Sequence, residues 1–316
     1  MSISTAPNIK VLAPASVGNF SVGFDVLGMA LMPLDGSIFG DIVEIQESCN
    51  GQDLLKLKGD FSIFLPTATE ENLVWQCLQE FRQISNFPAL EITLYKNLPI
   101  GSGLGSSACS IVAAAVALNA VVDSPLSTAE LLKLCGRLEG GVSGSIHLDN
   151  VAPSLLGGLV LCNGEDCQQL KVNPDWQLVV AYSGEQISTR DMRAFLPPGF
   201  APELVLKQLS FLQGFIAAGQ NSNWQQASFY LQDFLAEPFR APLIKGYVTA
   251  RQACLELGAE AVGISGSGPT MFAVCNAETA PVVTAWLEQN YGINDYAFTR
   301  NCQVRLSPAT AEVPLK

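Results

Sequence analysis

Gly101, Gly103 and Gly105 alternate through a short segment that runs into Ser106, Ser107 and then an apolar stretch from Ala108 to Val122. Glycine has no Cβ, so backbone N–H groups in such a loop can come up against a ligand. The first turn of the helix that follows carries unpaired N–H groups and a partial positive charge. Together they would stabilise an anion such as a phosphate group. A tight strand-to-helix turn that uses glycine for geometry alone accounts for the loop, taken by itself, equally well. Two common nucleotide loops are excluded. The dinucleotide fingerprint needs a third glycine where Ser106 stands, and the Walker loop needs a closing Gly-Lys-Ser/Thr.

Other residues with chemical potential are few. Asp25 sits in the apolar context Phe24-Asp25-Val26-Leu27-Gly28, and a carboxylate so placed needs a partner. His147 is the single histidine of the chain, which rules out a multi-histidine metal site. Asn72 stands where a helix begins, so it reads as an N-cap. The formal net charge of -12 argues against nucleic-acid and anionic-membrane partners, which attract basic surfaces. Positive charge for an anionic ligand must therefore be gathered locally from arginines, backbone N–H groups or a metal ion. The nine cysteines include no C-x-x-C pair, and Cys162 and Cys167 are spaced wrongly for zinc. With no apolar signal segment between Met1 and Lys10, they read as reduced core residues of a cytoplasmic protein.

The elements that must position these residues follow from periodicity. Strands are expected at Ile9 to Ala13, Asp41 to Gln46, Leu90 to Leu94, Leu178 to Tyr182 and Thr270 to Val274, with a turn-rich stretch over Pro14 to Asn19. Helices are expected over Asn72 to Ile84, through Ala108 to Val122, and from the capping box Ser127-Thr-Ala-Glu130 as far as Gly140 and Gly141. The apolar stretch is too short to cross a bilayer, for which about 20 residues are needed, and reads as a buried helix. Further helical patterns cover 203–218, 224–236 and 243–257, and a second glycine loop spans Gly263 to Pro269. Strands and helices without regular alternation predict an α+β architecture. The polar stretch at 160–175, including Glu165, suggests a boundary between residues 1–168 and 169–316.

Pro99-Ile-Gly-Ser-Gly-Leu-Gly-Ser-Ser-Ala108 resembles the phosphate-binding motif of the GHMP kinases, the galactokinase, homoserine, mevalonate and phosphomevalonate kinase family. Two more motifs of that family are matched in order: Ala13-Pro-Ala-Ser-x-x-Asn19 with Gly23-Phe-Asp25, and Gly263-Ile-Ser-Gly-Ser-Gly-Pro-Thr270. Within the family, Ser143-Gly-Ser-Ile-His147-Leu-Asp-Asn150-Val-Ala-Pro153 and Glu237-Pro-Phe-Arg240 resemble the homoserine-phosphorylating branch. The resemblance implies a two-domain fold with the active site between the domains. It also implies ATP and Mg²⁺, with L-homoserine as acceptor, a role in threonine biosynthesis, and a homodimer.

Carried over residue by residue, the resemblance places ATP on Pro99, Ile100, Gly101, Ser102, Gly103, Leu104, Gly105, Ser106 and Ser107. Ser265 and Ser267 close the phosphate site, and Asn72 reads adenine, though an N-cap explains that asparagine equally well. Glu139 becomes the Mg²⁺ ligand with Ser107. Asn150 stands where mevalonate kinases carry a catalytic aspartate, which implies phosphoryl transfer without a dedicated carboxylate base. The substrate pocket comprises Asn19, Asp25 and His147, with Asp25 facing the ammonium and Arg193 and Arg240 binding the carboxylate. Two rivals are a different small-alcohol kinase of the family and a non-catalytic nucleotide-binding regulator.

Overall fold

The computed structural model describes residues 8–122, 125–143, 146–164 and 166–312. Residues up to Pro7, together with Gly144, Ser145 and Glu165 from the motifs above, lie outside the described residues. Two sheets organise the chain. The first has five strands in the order Ala311–Glu312, Ile9–Pro14, Gly40–Glu47, Leu90–Tyr95 and Leu54–Lys58, with only the last pair parallel. The second has eight strands. Its main path runs Ala261–Ile264, Met271–Cys275, Gln177–Tyr182, Phe298–Val304, Leu27–Pro33, Leu159–Asn163 and Asp166–Leu170, and Ser16–Gly18 pairs with Leu27–Pro33. This is the α+β mixture that the sequence predicts.

The helix Ser106–Val121 packs on the strands Ile9–Pro14 and Gly40–Glu47 and against the helices Leu73–Ile84 and Thr128–Ser143. Apolar or small residues lie on all of its faces and twelve of them are buried, so it is the spine of the first half's core. That arrangement delivers the glycine loop, at the helix N-terminus, to the surface between the sheets. Asn72 caps the Leu73–Ile84 helix, its Oδ1 accepting the Val74 N–H at 2.9 Å. Ser127 and Glu130 form the reciprocal capping box, with the Ser127 N–H donating to Glu130 at 2.7 Å and the Glu130 N–H donating to Ser127 at 3.4 Å.

Four local expectations are corrected. The helix from Thr128 does not stop at Gly140 and Gly141 but runs to Ser143. A Cβ on Gly140 would lie 2.8 Å from the Ile146 side chain and one on Gly136 would lie 2.7 Å from Leu148, so these glycines admit the returning chain instead of ending the helix. The expected 224–236 helix ends at Tyr230, because the carboxylate of Asp233 turns back to accept the N–H groups of Leu235, Ala236 and Glu237. In place of the 243–257 helix, a 3₁₀ turn covers Ala241–Leu243 and the α-helix covers Tyr247–Glu256. The turn-rich Pro14–Asn19 stretch contains the strand Ser16–Gly18. The polar residues around 168 form an edge hairpin of Leu159–Asn163 with Asp166–Leu170, whose polarity is that of an exposed sheet edge.

Seven of the nine cysteines are buried, as core residues would be, while Cys49 is exposed and Cys167 half-buried. Among the described residues no helix is long and apolar enough to cross a membrane.

Candidate active site

The glycine loop turns with left-handed backbone at Gly101, Gly103 and Gly105, and Gly105 is the residue before the helix. A Cβ on Gly103 would fall 2.3 Å from the Ser265 carbonyl, so this position is glycine both for its φ of +82° and for the second loop that lies on it. Ser265 donates its hydroxyl to the Gly103 carbonyl at 2.7 Å, and the Thr270 N–H donates to the Ser102 carbonyl at 3.1 Å. The two glycine loops are thus tied together. Fully buried Ser265 faces the backbone of the loop, whereas Ser267 lines the open space beside it. Pro99 and Leu104 likewise serve the loop from within: the Pro99 carbonyl accepts the Ser102 hydroxyl at 2.8 Å and the Leu104 carbonyl accepts the Ser16 N–H at 3.2 Å.

Beneath the loop lies a buried ion pair that sequence reading did not single out. Lys96, 2% exposed, contacts the Asp41 carboxylate and also donates to the Ser106 carbonyl at 2.8 Å and the Ser110 hydroxyl at 3.1 Å. Asp41 in turn accepts the Asn97 and Leu98 N–H groups at 2.9 and 3.1 Å and the Ser110 hydroxyl at 2.6 Å. The pair locks the end of a strand to the first turn of the helix, and so fixes both ends of the loop between them.

Ile100, Gly101, Ser102, Gly103, Gly105, Ser106 and Ser107 line a cleft of about 840 Å³, large enough for a nucleotide. Asn72 lies on its far wall with Phe64, Leu65 and Pro66. The cap bond uses its Oδ1; its buried Nδ2 has no hydrogen-bond partner among the described residues. On the floor, Ser107 donates to Glu139 Oε1 at 2.8 Å, and Glu139 Oε2 is sealed from solvent. Burial raises the Glu139 pKa, opposed by the Ser107 hydrogen bond and the charge of Lys96. A carboxylate and a hydroxyl on the wall of a nucleotide-sized cleft suit Mg²⁺, which is usually held by one or two carboxylates plus substrate phosphates. A buried carboxylate whose pKa desolvation raises gains from a cation placed beside it.

A second, smaller cavity of about 50 Å³ adjoins the cleft and is lined by Asn19, Asp25, His147, Asp149, Arg193 and Arg240, among others. Glu139, Asn150, Thr189, Gly266 and Ser267 line both spaces. The partner that the sequence demands for Asp25 is Arg193, which binds it through two parallel hydrogen bonds of 3.0 and 2.7 Å. That pairing raises the Arg193 pKa. His147 Nδ1 lies 3.6 Å from the same carboxylate, yet burial lowers its pKa, favouring the neutral ring. Asp233 caps the short helix that carries Arg240, which donates to the Gly266 carbonyl at 2.9 Å and lies 5.4 Å from the Phe24 ring. The Asn19 side chain accepts the Asp25 N–H at 2.9 Å and donates to Gly266 at 2.8 Å, bridging the acceptor-side turn to the second glycine loop.

Every residue expected on the acceptor side is therefore brought to one cavity, and the sequence reading missed two that stand among them. Thr189 reaches the second glycine loop, its hydroxyl 3.2 Å from that of Ser267. Asp149 is fully enclosed, accepting the Asn19 N–H at 3.1 Å and lying 3.3 Å from the Asn150 amide. A Cβ on Gly28 would strike the Asp149 carbonyl at 1.6 Å, so glycine there is what allows the approach. Neither residue announced itself because each gains meaning only from partners distant in sequence.

Burial, with the nearby Asp25 charge, pushes the Asp149 pKa up to about 7. The unfolded chain loses that proton near the ordinary aspartate value of 3.8, while the folded chain keeps it. Stability from this group is therefore complete below the unfolded pKa and falls as pH rises toward about 7, after which the loss is constant. Asp149→Asn cannot titrate. Its Tm relative to wild type is expected to rise from pH 4 to pH 7 and then level off; a Tm difference independent of pH would refute the raised value.

Comparison with known proteins agrees with this architecture. The family model described as GHMP kinases N terminal domain matches residues 72–158, and that described as GHMP kinases C terminal matches residues 212–292. The chain belongs to the GHMP kinase family and has its two-domain fold. A homoserine kinase structure from Cytophaga hutchinsonii is 30% identical, with 99% of each chain covered and a TM-score of 0.87. A putative homoserine kinase from Listeria monocytogenes is 22% identical over 96% of this chain and 98% of its own, with a TM-score of 0.72. Mevalonate kinase from L. major, solved with R-mevalonate, shares the fold at 18% identity, 98% and 97% coverage and a TM-score of 0.65.

Proposed function

We propose that this chain is a homoserine kinase, transferring the γ-phosphoryl group of ATP to the side-chain hydroxyl of L-homoserine as a step toward threonine. The observation that carries the reading is the small cavity beside the nucleotide-sized cleft, whose walls set the Asp25 carboxylate against two guanidinium groups, Arg193 and Arg240. A zwitterionic amino acid can exchange the internal Asp25–Arg193 pair for two external ones, its ammonium facing Asp25 and its carboxylate facing the arginines. The side chain of that ligand then points toward Asn150 and Thr189, where the two spaces join.

The loop N–H groups and the helix N-terminus would cradle the phosphates, with Ser267 closing the site and Asn72 on the wall that would face the base. Ser107 and Glu139 would hold Mg²⁺, which supplies charge neutralisation on the phosphoryl oxygens. Asn150, whose Oδ1 accepts the Ser16 hydroxyl at 2.9 Å, orients the acceptor hydroxyl; no dedicated carboxylate base is invoked, because phosphoryl transfer depends mainly on positioning and charge. The same reading carries a homodimeric, cytoplasmic enzyme.

The test is ADP formation with ATP and Mg²⁺ in the presence of L-homoserine, mevalonate, shikimate, galactose or no acceptor, with the product identified by mass. Homoserine is expected to stimulate ADP formation far above the others and to yield O-phosphohomoserine. Turnover with another alcohol would transfer the site to a different small-alcohol kinase, and nucleotide binding without turnover would make it a regulator.

A further inference from the structure

The hairpin at the edge of the eight-stranded sheet pairs Cys162 with Cys167, one step inside Asn163 and Asp166. The Cys162 N–H donates at 2.8 Å to the carbonyl of Val26, which immediately precedes the neighbouring strand Leu27–Pro33 on the opposite side. Its peptide groups therefore point away from Cys167, and the two cysteines form a non-hydrogen-bonded antiparallel pair. In such pairs the Cα atoms are about 4.5 Å apart and the side chains are at their closest. That separation lies within the range of about 4.4–6.8 Å across which a disulfide can close without backbone movement. The two Sγ atoms are 3.0 Å apart, already facing each other.

We propose that Cys162 and Cys167 are a reversible dithiol–disulfide site, closed by small-molecule disulfides, whose state is transmitted to the turn that carries Asp25. Access comes through Cys167, the half-buried member, while Cys162 is 5% exposed. The contact with the Cys162 sulfur lowers the Cys167 pKa and so favours the nucleophilic thiolate there. The chemistry balances with oxidised glutathione as the co-reactant. The Cys167 thiolate attacks one glutathione sulfur, breaks the glutathione S–S bond and releases one thiolate. Cys162, deprotonated by solvent base, then attacks the mixed-disulfide sulfur on Cys167 and releases the second. The protein loses two electrons and two protons, and one oxidised glutathione becomes two reduced molecules.

Transmission follows from the register. Leu161 pairs with Leu27, and the Cys162 N–H holds the Val26 carbonyl, one residue from Asp25. Drawing the sulfurs from 3.0 Å to the bonded distance of about 2.05 Å fixes the side-chain torsions of Cys162 and so restrains the residue that makes this backbone connection. The inference goes beyond the kinase reading, and its chemical test does not depend on it.

The full-length protein is treated with oxidised glutathione, alkylated and mapped by mass spectrometry without reduction. A cross-link between Cys162 and Cys167, two hydrogens lighter than the dithiol and opened by dithiothreitol, is expected. Alkylation of both residues, or glutathione adducts alone, would overturn the site. Hydrogen–deuterium exchange across residues 24–28 is then compared before and after closure. A change in wild type that is absent from Cys167→Ser treated in the same way supports the connection; identical exchange in a chain shown to carry the cross-link overturns it.

Discussion

Glu139→Gln is expected to lower turnover by about a hundredfold or more, the scale on which removal of a single active-site charge contact acts in a transition state. The same variant is expected to unfold at a higher temperature than wild type at pH 8. Both effects have one cause. Burial raises the Glu139 pKa, so ionising this carboxylate in the folded protein carries a desolvation cost. Glutamine keeps the shape and can still accept the Ser107 hydroxyl, which now lies 2.8 Å from Oε1, but it carries no charge to bring to a cation. Because the folded-state pKa is raised, the stability difference should be small below the unfolded pKa and grow as pH rises through the folded one. Steady-state kinetics at saturating Mg²⁺ and thermal unfolding at two pH values separate the two halves. Near-normal turnover would remove Glu139 from the metal site; a large loss of both turnover and stability would mark it as a structural residue.

How far sequence alone reaches is shown by the contrast between the loop and what supports it. Gly101 to Ser107 is contiguous, so local chemistry exposes it: alternating glycines, two hydroxyls and an apolar helix can be read within a few residues. The acceptor residues Asn19, Asp25, His147, Arg193 and Arg240 are scattered over the chain, and only family motifs bring them together before the fold does so at one cavity. Even then, sequence assigned Asp25 and Arg193 to separate ligand groups and could not show that they bind each other. Gly140 and Gly141 misled for a related reason. Glycine pairs commonly end helices, but here the helix continues to Ser143 and the space left at Gly140 is taken by the Ile146 side chain six residues on. Asp41 and Lys96, fifty-five positions apart, look like ordinary surface charges until two strands are laid side by side.

That last pair supplies the largest expected effect on stability. Lys96→Met leaves a side chain of similar length and removes the ammonium, so Asp41, 0% exposed, loses its lysine partner in the interior. Breaking one side of a buried pair costs about 3–5 kcal/mol, against the 0–1 kcal/mol of an exposed one. Asp41 still accepts the Asn97 and Leu98 N–H groups and the Ser110 hydroxyl, which softens the loss without replacing the positive charge. The Ser106 carbonyl loses its lysine donor as well, and with it the tie between the strand end and the first helical turn. Denaturant unfolding should therefore show a midpoint lowered by an amount corresponding to several kcal/mol, with the slope unchanged if the fold remains two-state. A difference below about 1 kcal/mol would mean that water or a rearranged neighbour compensates Asp41, and that the ion pair does not brace the loop. Asp41→Asn discriminates further. It removes the charge but keeps an acceptor for the two N–H groups, leaving Lys96 as the unpaired ion; a loss comparable to that of Lys96→Met would show that the pairing itself, more than either residue's shape, holds the nucleotide loop in place.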